Sequence, residues 1–95
     1  MITLTALITC KAGSEERIRL ALLAVGQYAQ KHESGTQTYF ITSGNDQGVF
    51  VTHERYVDQV ALDAHNNGSG AKAFFVAAEG HIESVAIYIG TEIFP

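Results

Sequence analysis

The sequence predicts an α+β domain: a four-stranded antiparallel sheet with its helices on one face. Three observations lead there. The opening residues alternate with a period of two, as a strand with one dry face does. The stretch from Ser14 to His32 instead repeats apolar residues three and four apart, the helical period. Two further strand patterns follow with only a turn between them, and a broken helix pattern and a last strand complete the order β-α-β-β-α-β.

Each element has its own grounds. From Met1 to Lys11, Ile2, Leu4, Ala6, Ile8 and Cys10 point one way and Thr3, Thr5, Leu7 and Thr9 the other. Ala12-Gly13-Ser14 ends the alternation. Ser14 is placed to cap a helix, and Glu15 and Glu16 fall in its first turn, where the positive pole favours acids. Ile18, Ala21, Leu22, Val25, Ala29 and His32 form its apolar stripe, widened by Leu20, Leu23 and Ala24. Gly26, costly inside a helix by roughly 1 kcal/mol, implies a close contact there. Lys31 and His32 suit the negative pole, and Ser34-Gly35 closes the helix. Thr36–Thr42 and Val49–Tyr56 read as a hairpin around the turn residues Ser43 to Gly48. Asp58 caps a second helix in which Ala61, Leu62 and His65 share a face. Asn66-Asn67-Gly68-Ser69-Gly70 interrupts it, Ala71–Ala78 resumes it, and Ser84–Phe94 is the fourth strand.

This order is the split β-α-β, or ferredoxin-like, plan. It leaves one sheet face bare. Only 17% of the residues are charged, against roughly 25% in an average domain, so apolar surface is left over. A second copy packed sheet to sheet is the expected cover. At 95 residues the chain reads as one domain, residues 1–95. A net charge of −4 without any Lys/Arg run argues against nucleic acid or an anionic membrane surface as partner. The single cysteine, Cys10, allows neither an intrachain disulfide nor a cysteine-based zinc site. Met1–Leu7 lacks the basic and apolar regions of a secretory signal, and no apolar run approaches the ~20 residues of a membrane span. The expectation is a cytoplasmic protein.

Four pieces of sequence, in order, carry a resemblance: A-L-I-T-C-K-A-G-S-E-E at Ala6–Glu16, V-F-V-T-H-E-R-Y at Val49–Tyr56, A-L-D-A-H at Ala61–His65 and K-A-F-F at Lys72–Phe75. Together they resemble the antibiotic biosynthesis monooxygenase domain, a family of dimeric α+β barrels. The resemblance spans about Ala6 to Tyr88. It implies a homodimer and one of several activities: cofactor-free oxygenation of anthrones and quinols, haem degradation, isomerisation of small signalling sugars, or none. Two departures bear on the choice. The family's Ser-x-His-Phe loop is Gly68-Ser69-Gly70-Ala71 here, without a second histidine, and the chain has no tryptophan, on which haem-degrading members rely.

The candidate chemistry lies between Gly48 and Phe75. Histidine is the side chain whose ordinary charge change falls near neutrality, and His65 is the candidate base for a phenolic or enolic proton. An electron-rich carbanion so formed reacts with O2 without metal or flavin, hence no cofactor is expected. The alternative is a packed histidine bonded to Glu54 or a backbone carbonyl. Glu54 and Tyr56 share a strand face, and Glu54 is the candidate carboxylate to orient a histidine. Otherwise it forms an ion pair with Arg17 or Arg19, because Arg55 points the other way. Tyr39, Tyr56, Phe74, Phe75 and Asn66 are the candidate substrate contacts, with Phe40 and Phe50 further aromatic residues. Such aromatics are more often core than pocket, and Asn66 and Asn67 beside Gly68 more often turn residues. His53 faces away and reads as an interface or edge residue. His32, His53, His65 and His81 have no metal-ligand spacing, and no nucleotide-binding glycine motif follows the first strand. The expected activity is therefore monooxygenation of a small aromatic quinol or anthrone-like compound. Against it stand a non-oxidative binding or isomerase-type protein and a structural dimer without turnover.

Overall fold

A computed structural model describes all residues, Met1–Pro95. The elements are β1 (Ile2–Cys10), α1 (Glu15–His32), β2 (Thr36–Ser43), β3 (Val49–Tyr56), α2 (Gln59–Asn67), α3 (Ser69–Ala78) and β4 (Ile82–Thr91). The strands form one antiparallel sheet in the order β2-β3-β1-β4, which is the ferredoxin-like arrangement.

The register decides which side chains meet. Leu4 lies opposite Glu54 and Ile89, Ala6 opposite Thr52 and Ile87, and Ile8 opposite Phe50 and Val85. Tyr39 on β2 lies opposite Glu54. Cross-strand partners share a face, so these residues form the helix-covered side. Thr5, Leu7, Val51, His53, Phe40 and Tyr88 line the other side by the same register. The alternation of β1 holds: Leu4, Ala6, Ile8 and Cys10 are buried. With Ile18 and Leu22 of α1, Phe50 and Tyr56 of β3, Leu62 of α2 and Ala78 they make the core. The helices leave β4 partly bare even on their own side, where Val85, Ile87 and Ile89 are exposed.

α1 buries the expected stripe of Ile18, Ala21, Leu22, Val25 and Ala29. Leu20, Leu23, Ala24 and His32 are instead exposed and flank the stripe, with His32 lying against Tyr28 of the same helix. Ser14 precedes α1 without capping it through its side chain. Its Oγ pairs with His81 Nδ1 at 2.9 Å, while the Glu15 carboxylate accepts from Gly13 N–H at 2.7 Å. The close contact implied by Gly26 is with Tyr39: a Cβ there would lie 3.1 Å from the ring's Cδ1.

The interruption after His65 is sharper than the sequence suggests. Asn66 and Asn67 remain helical, and no residue other than glycine has a positive φ. Gly68 alone makes the break. Its N–H donates to His65 O at 3.3 Å to end α2, and its carbonyl accepts from Lys72 N–H at 3.1 Å to begin α3. Gly70 lets α3 approach α1, since a Cβ there would come within 2.7 Å of the Tyr28 ring. The last strand begins two residues earlier than expected, at Ile82, and stops at Thr91, short of the expected Phe94. A bulge between Thr9 and Cys10 brings Ile82 into register with Cys10. No helix is long and apolar enough to cross a membrane.

Candidate active site

Three elements converge on one polar cluster under the helices. β3 presents Thr52, Glu54 and Tyr56 on its buried face, as the period of two requires. α2 is anchored by its Asp58 cap, whose carboxylate accepts from Ala61 N–H at 2.8 Å, and by Leu62, which is 1% exposed. One turn beyond Leu62, His65 is thereby aimed at β3. The third contributor is Glu33, the residue that ends α1.

His65 sits between two carboxylates. Its Nδ1 lies 2.7 Å from Glu33 Oε1, and its Nε2 lies 3.5 Å from Glu54 Oε1. The three side chains are 8%, 8% and 5% exposed for His65, Glu33 and Glu54. Thr36 donates to the same Glu33 oxygen at 2.8 Å. Glu54 accepts from Thr52 at 2.5 Å and from the Tyr56 hydroxyl. Glu33 Oε2 is buried without a hydrogen-bond partner.

Burial, reinforced by the negative Glu54, pushes the Tyr56 hydroxyl far above the usual phenol range; the same two causes raise Tyr39. Both therefore remain phenols and hydrogen-bond donors. Tyr39 donates to Leu22 O at 3.3 Å, and its ring lies 6.1 Å from that of His65.

Beside the cluster lies a cavity of about 140 Å³. Its walls are mostly apolar, with Leu4, Ala6, Leu22, Val25, Phe74 and Phe75 among them. Its polar lining comes from Thr52, Glu54, His65, Asn66 and the phenol Tyr39. Val85 and Ile87, the exposed residues of β4, belong to the rim. A wider hollow of about 380 Å³ lies on the outer side of Glu33, between Tyr28 and Val57. It is not the better candidate: its only histidine, His32, is exposed and packs on Tyr28 at 4.7 Å between ring centroids. No group of three or more His, Cys, Asp and Glu side chains is arranged to hold a metal ion.

The structure thus brings His65, Glu54, Tyr39, Asn66, Phe74 and Phe75 to one cavity, and Tyr56 just behind it through Glu54. Phe75 is 65% exposed, so it guards the opening rather than filling the core. Phe40 lies on the opposite sheet face, stacked on His53 with centroids 4.5 Å apart, and Phe50 is core. The arginines do not serve Glu54: Arg17 donates to Ala77 O, Arg19 pairs with Glu16 and Arg55 with Glu92. Sequence reasoning missed Glu33. The signal was present, because an acid at the negative end of a long helix is electrostatically out of place.

Such an arrangement can take a proton from an apolar guest at one nitrogen of His65 and hold the resulting imidazolium between two anions.

Comparison with known proteins agrees with the fold. Residues 1–77 match the family described as antibiotic biosynthesis monooxygenase. The fold is similar to that of PA3566 from Pseudomonas aeruginosa, at 26% identity and a TM-score of 0.89, over 98% of this chain and 94% of that one. A Caulobacter crescentus protein superposes with a TM-score of 0.90 at 20% identity, covering 98% and 90% of the two chains. Rv0793 from Mycobacterium tuberculosis does so at 0.89 and 20%, covering 99% and 96%. Among curated proteins, none matches the sequence. With more than half of its length matched in order, the chain belongs to the antibiotic biosynthesis monooxygenase family.

Proposed function

We propose that the protein is a cofactor-independent monooxygenase acting on a small aromatic quinol or anthrone-like compound, with His65 as its base. The observation that carries this reading is a buried histidine at the polar end of an apolar cavity. A small polar pocket would have favoured the non-oxidative, isomerase-type reading. A cavity filled by Tyr39, Phe74 and Phe75 would have favoured a dimer without turnover.

The chemistry follows from the surroundings. His65 takes an acidic proton from the guest, leaving an electron-rich anion among apolar walls. That anion transfers electrons to O2 and a carbon–oxygen bond forms. When the O–O bond breaks, one oxygen atom stays with the product as a carbonyl and the other leaves as water, taking the proton held by His65 and the hydrogen remaining on the oxidised carbon. A ring seated against these walls displaces water from them, which strengthens the charge interactions beside it. Tyr39 and Asn66 are placed to orient the guest's oxygen. The volume resembles that of a dry cavity of about 150 Å³ known to hold benzene, so one ring fits inside and any further ring extends past Val85 and Ile87.

In the same reading two copies pack through the open sheet face. Leu7, Phe40 and Tyr88 are exposed there. A second sheet would cover these groups.

The test is oxygen uptake by the purified protein with an anthrone and a set of quinols under ¹⁸O2. Protein-dependent uptake with one labelled atom in the product supports the reading. Uptake no faster than the spontaneous rate across the set sinks it.

A further inference from the structure

Resting on His65 as the base, we infer that Glu33 selects which nitrogen does the work: it holds the ring proton on Nδ1, so that Nε2 is the free lone pair. Nothing in the family comparison assigns a role to Glu33.

The two carboxylates are not equivalent. Glu33 Oε1 is at full hydrogen-bond distance from Nδ1, 2.7 Å, whereas Glu54 Oε1 is 3.5 Å from Nε2, too long for one. A carboxylate cannot donate, so the shorter contact requires a proton on Nδ1. Glu54 is also already supplied with donors. Tyr56 and Thr52 give it one hydroxyl hydrogen each. It can therefore stand near Nε2 without claiming a proton from it.

Glu33 is itself held for this task. Thr36 fixes the oxygen that faces His65, at 2.8 Å, and the Glu33 backbone N–H is tied to Ala29 O at 3.0 Å. Its other oxygen is buried without a donor, and its charge lies at the helix end that disfavours anions. Both features work against stability. They are accounted for if the carboxylate serves the histidine.

The proton balance is then simple. The guest's O–H or C–H bond breaks, an Nε2–H bond forms, and the guest becomes an anion. The imidazolium, with a proton on each nitrogen, lies between Glu33 and Glu54. Glu33 does not touch the guest and is a positioning residue.

The experiment is ¹⁵N–¹H correlation of the His65 ring at about pH 8.5, in the wild-type protein and in Glu33→Gln and Glu33→Ala. Backbone amide spectra of each variant report that it is folded. We expect a pyrrole-type Nδ1 and a pyridine-type Nε2 in the wild type. Glu33→Gln retains an accepting oxygen and keeps that tautomer, while Glu33→Ala loses it. Anthrone oxidation by Glu33→Ala falls by about 10- to 100-fold in kcat with little change in KM, the size of loss seen when a carboxylate that orients a metal-ligating histidine is removed. A wild-type proton on Nε2, a ring protonated on both nitrogens, or a tautomer unmoved by Glu33→Ala would each overturn the inference. Oxidation failing in the wild type while Nδ1 carries the proton would instead sink the oxygenase reading and leave the Glu33 assignment standing.

Discussion

Tyr56 and Glu54 lie two residues apart on β3, on the same buried face, and the phenol hydroxyl donates to the carboxylate. Tyr56 is 0% exposed and Glu54 7%, so no water replaces that bond if it is lost. Tyr56→Phe strands part of a buried anion. The expected cost is about 1–3 kcal/mol, read as a lower urea midpoint with an unchanged slope. An unchanged midpoint would mean that the hydroxyl does not support Glu54.

Alkali acts through the same tyrosines. Burial holds Tyr39 and Tyr56 protonated in the folded state beyond the pH at which an unfolded tyrosine ionises. Their folded pKa is raised, so their contribution is complete below about pH 10. It is lost as pH rises beyond that, because the unfolded chain then binds fewer protons than the folded one. Stability should decline above about pH 10, by about 1.4 kcal/mol per pH unit for each such group. Phenolate absorbance from these two residues should appear together with loss of helical circular dichroism. Full, reversible titration of all four tyrosines in folded protein would contradict this.

Gly26 separates helix propensity from cavity shape. Alanine there gains up to about 1 kcal/mol as a helix residue, but its methyl would lie 3.1 Å from the Tyr39 ring. That ring lines the cavity and must give way. Gly26→Ala should leave the melting temperature equal or higher while weakening the binding of a phenolic guest by calorimetry. Equal binding would show that Tyr39 does not shape the cavity.

The open sheet face makes a prediction of its own. Sedimentation of the diluted protein should give a dimer, and Phe40→Asp, on the edge strand β2 of that face and stacked on His53, should give a folded monomer. A wild-type monomer would remove the sheet-to-sheet assembly.

What was legible in the sequence was whatever repeats locally. The alternation of β1 and the stripe of α1 follow from side-chain periodicity, and both hold residue by residue for the central positions. Gly26 announced its close contact because glycine is costly in a helix. The pairing of His65 with the face of Glu54 was legible too, as both lie on the apolar sides of their elements. The partner of Glu33 was not: an acid at the negative end of α1 stands out, but its meeting with His65 spans 32 residues and depends on how the end of α1 docks against α2. The roles of Phe40 and Tyr39 differ for a simpler reason: adjacent strand residues point to opposite faces, and composition alone did not say which face held the cavity. Ser14 departed from its capping role because His81, far along the chain, competes for its hydroxyl.

The most direct measurement is the initial rate of oxygen consumption with an anthrone, for wild type beside His65→Ala, at equal concentration and with both shown to be folded. The account predicts protein-dependent consumption that falls by about 10²- to 10⁴-fold on losing the base. A His65→Ala rate equal to that of the wild type would contradict it and remove His65 from the chemistry.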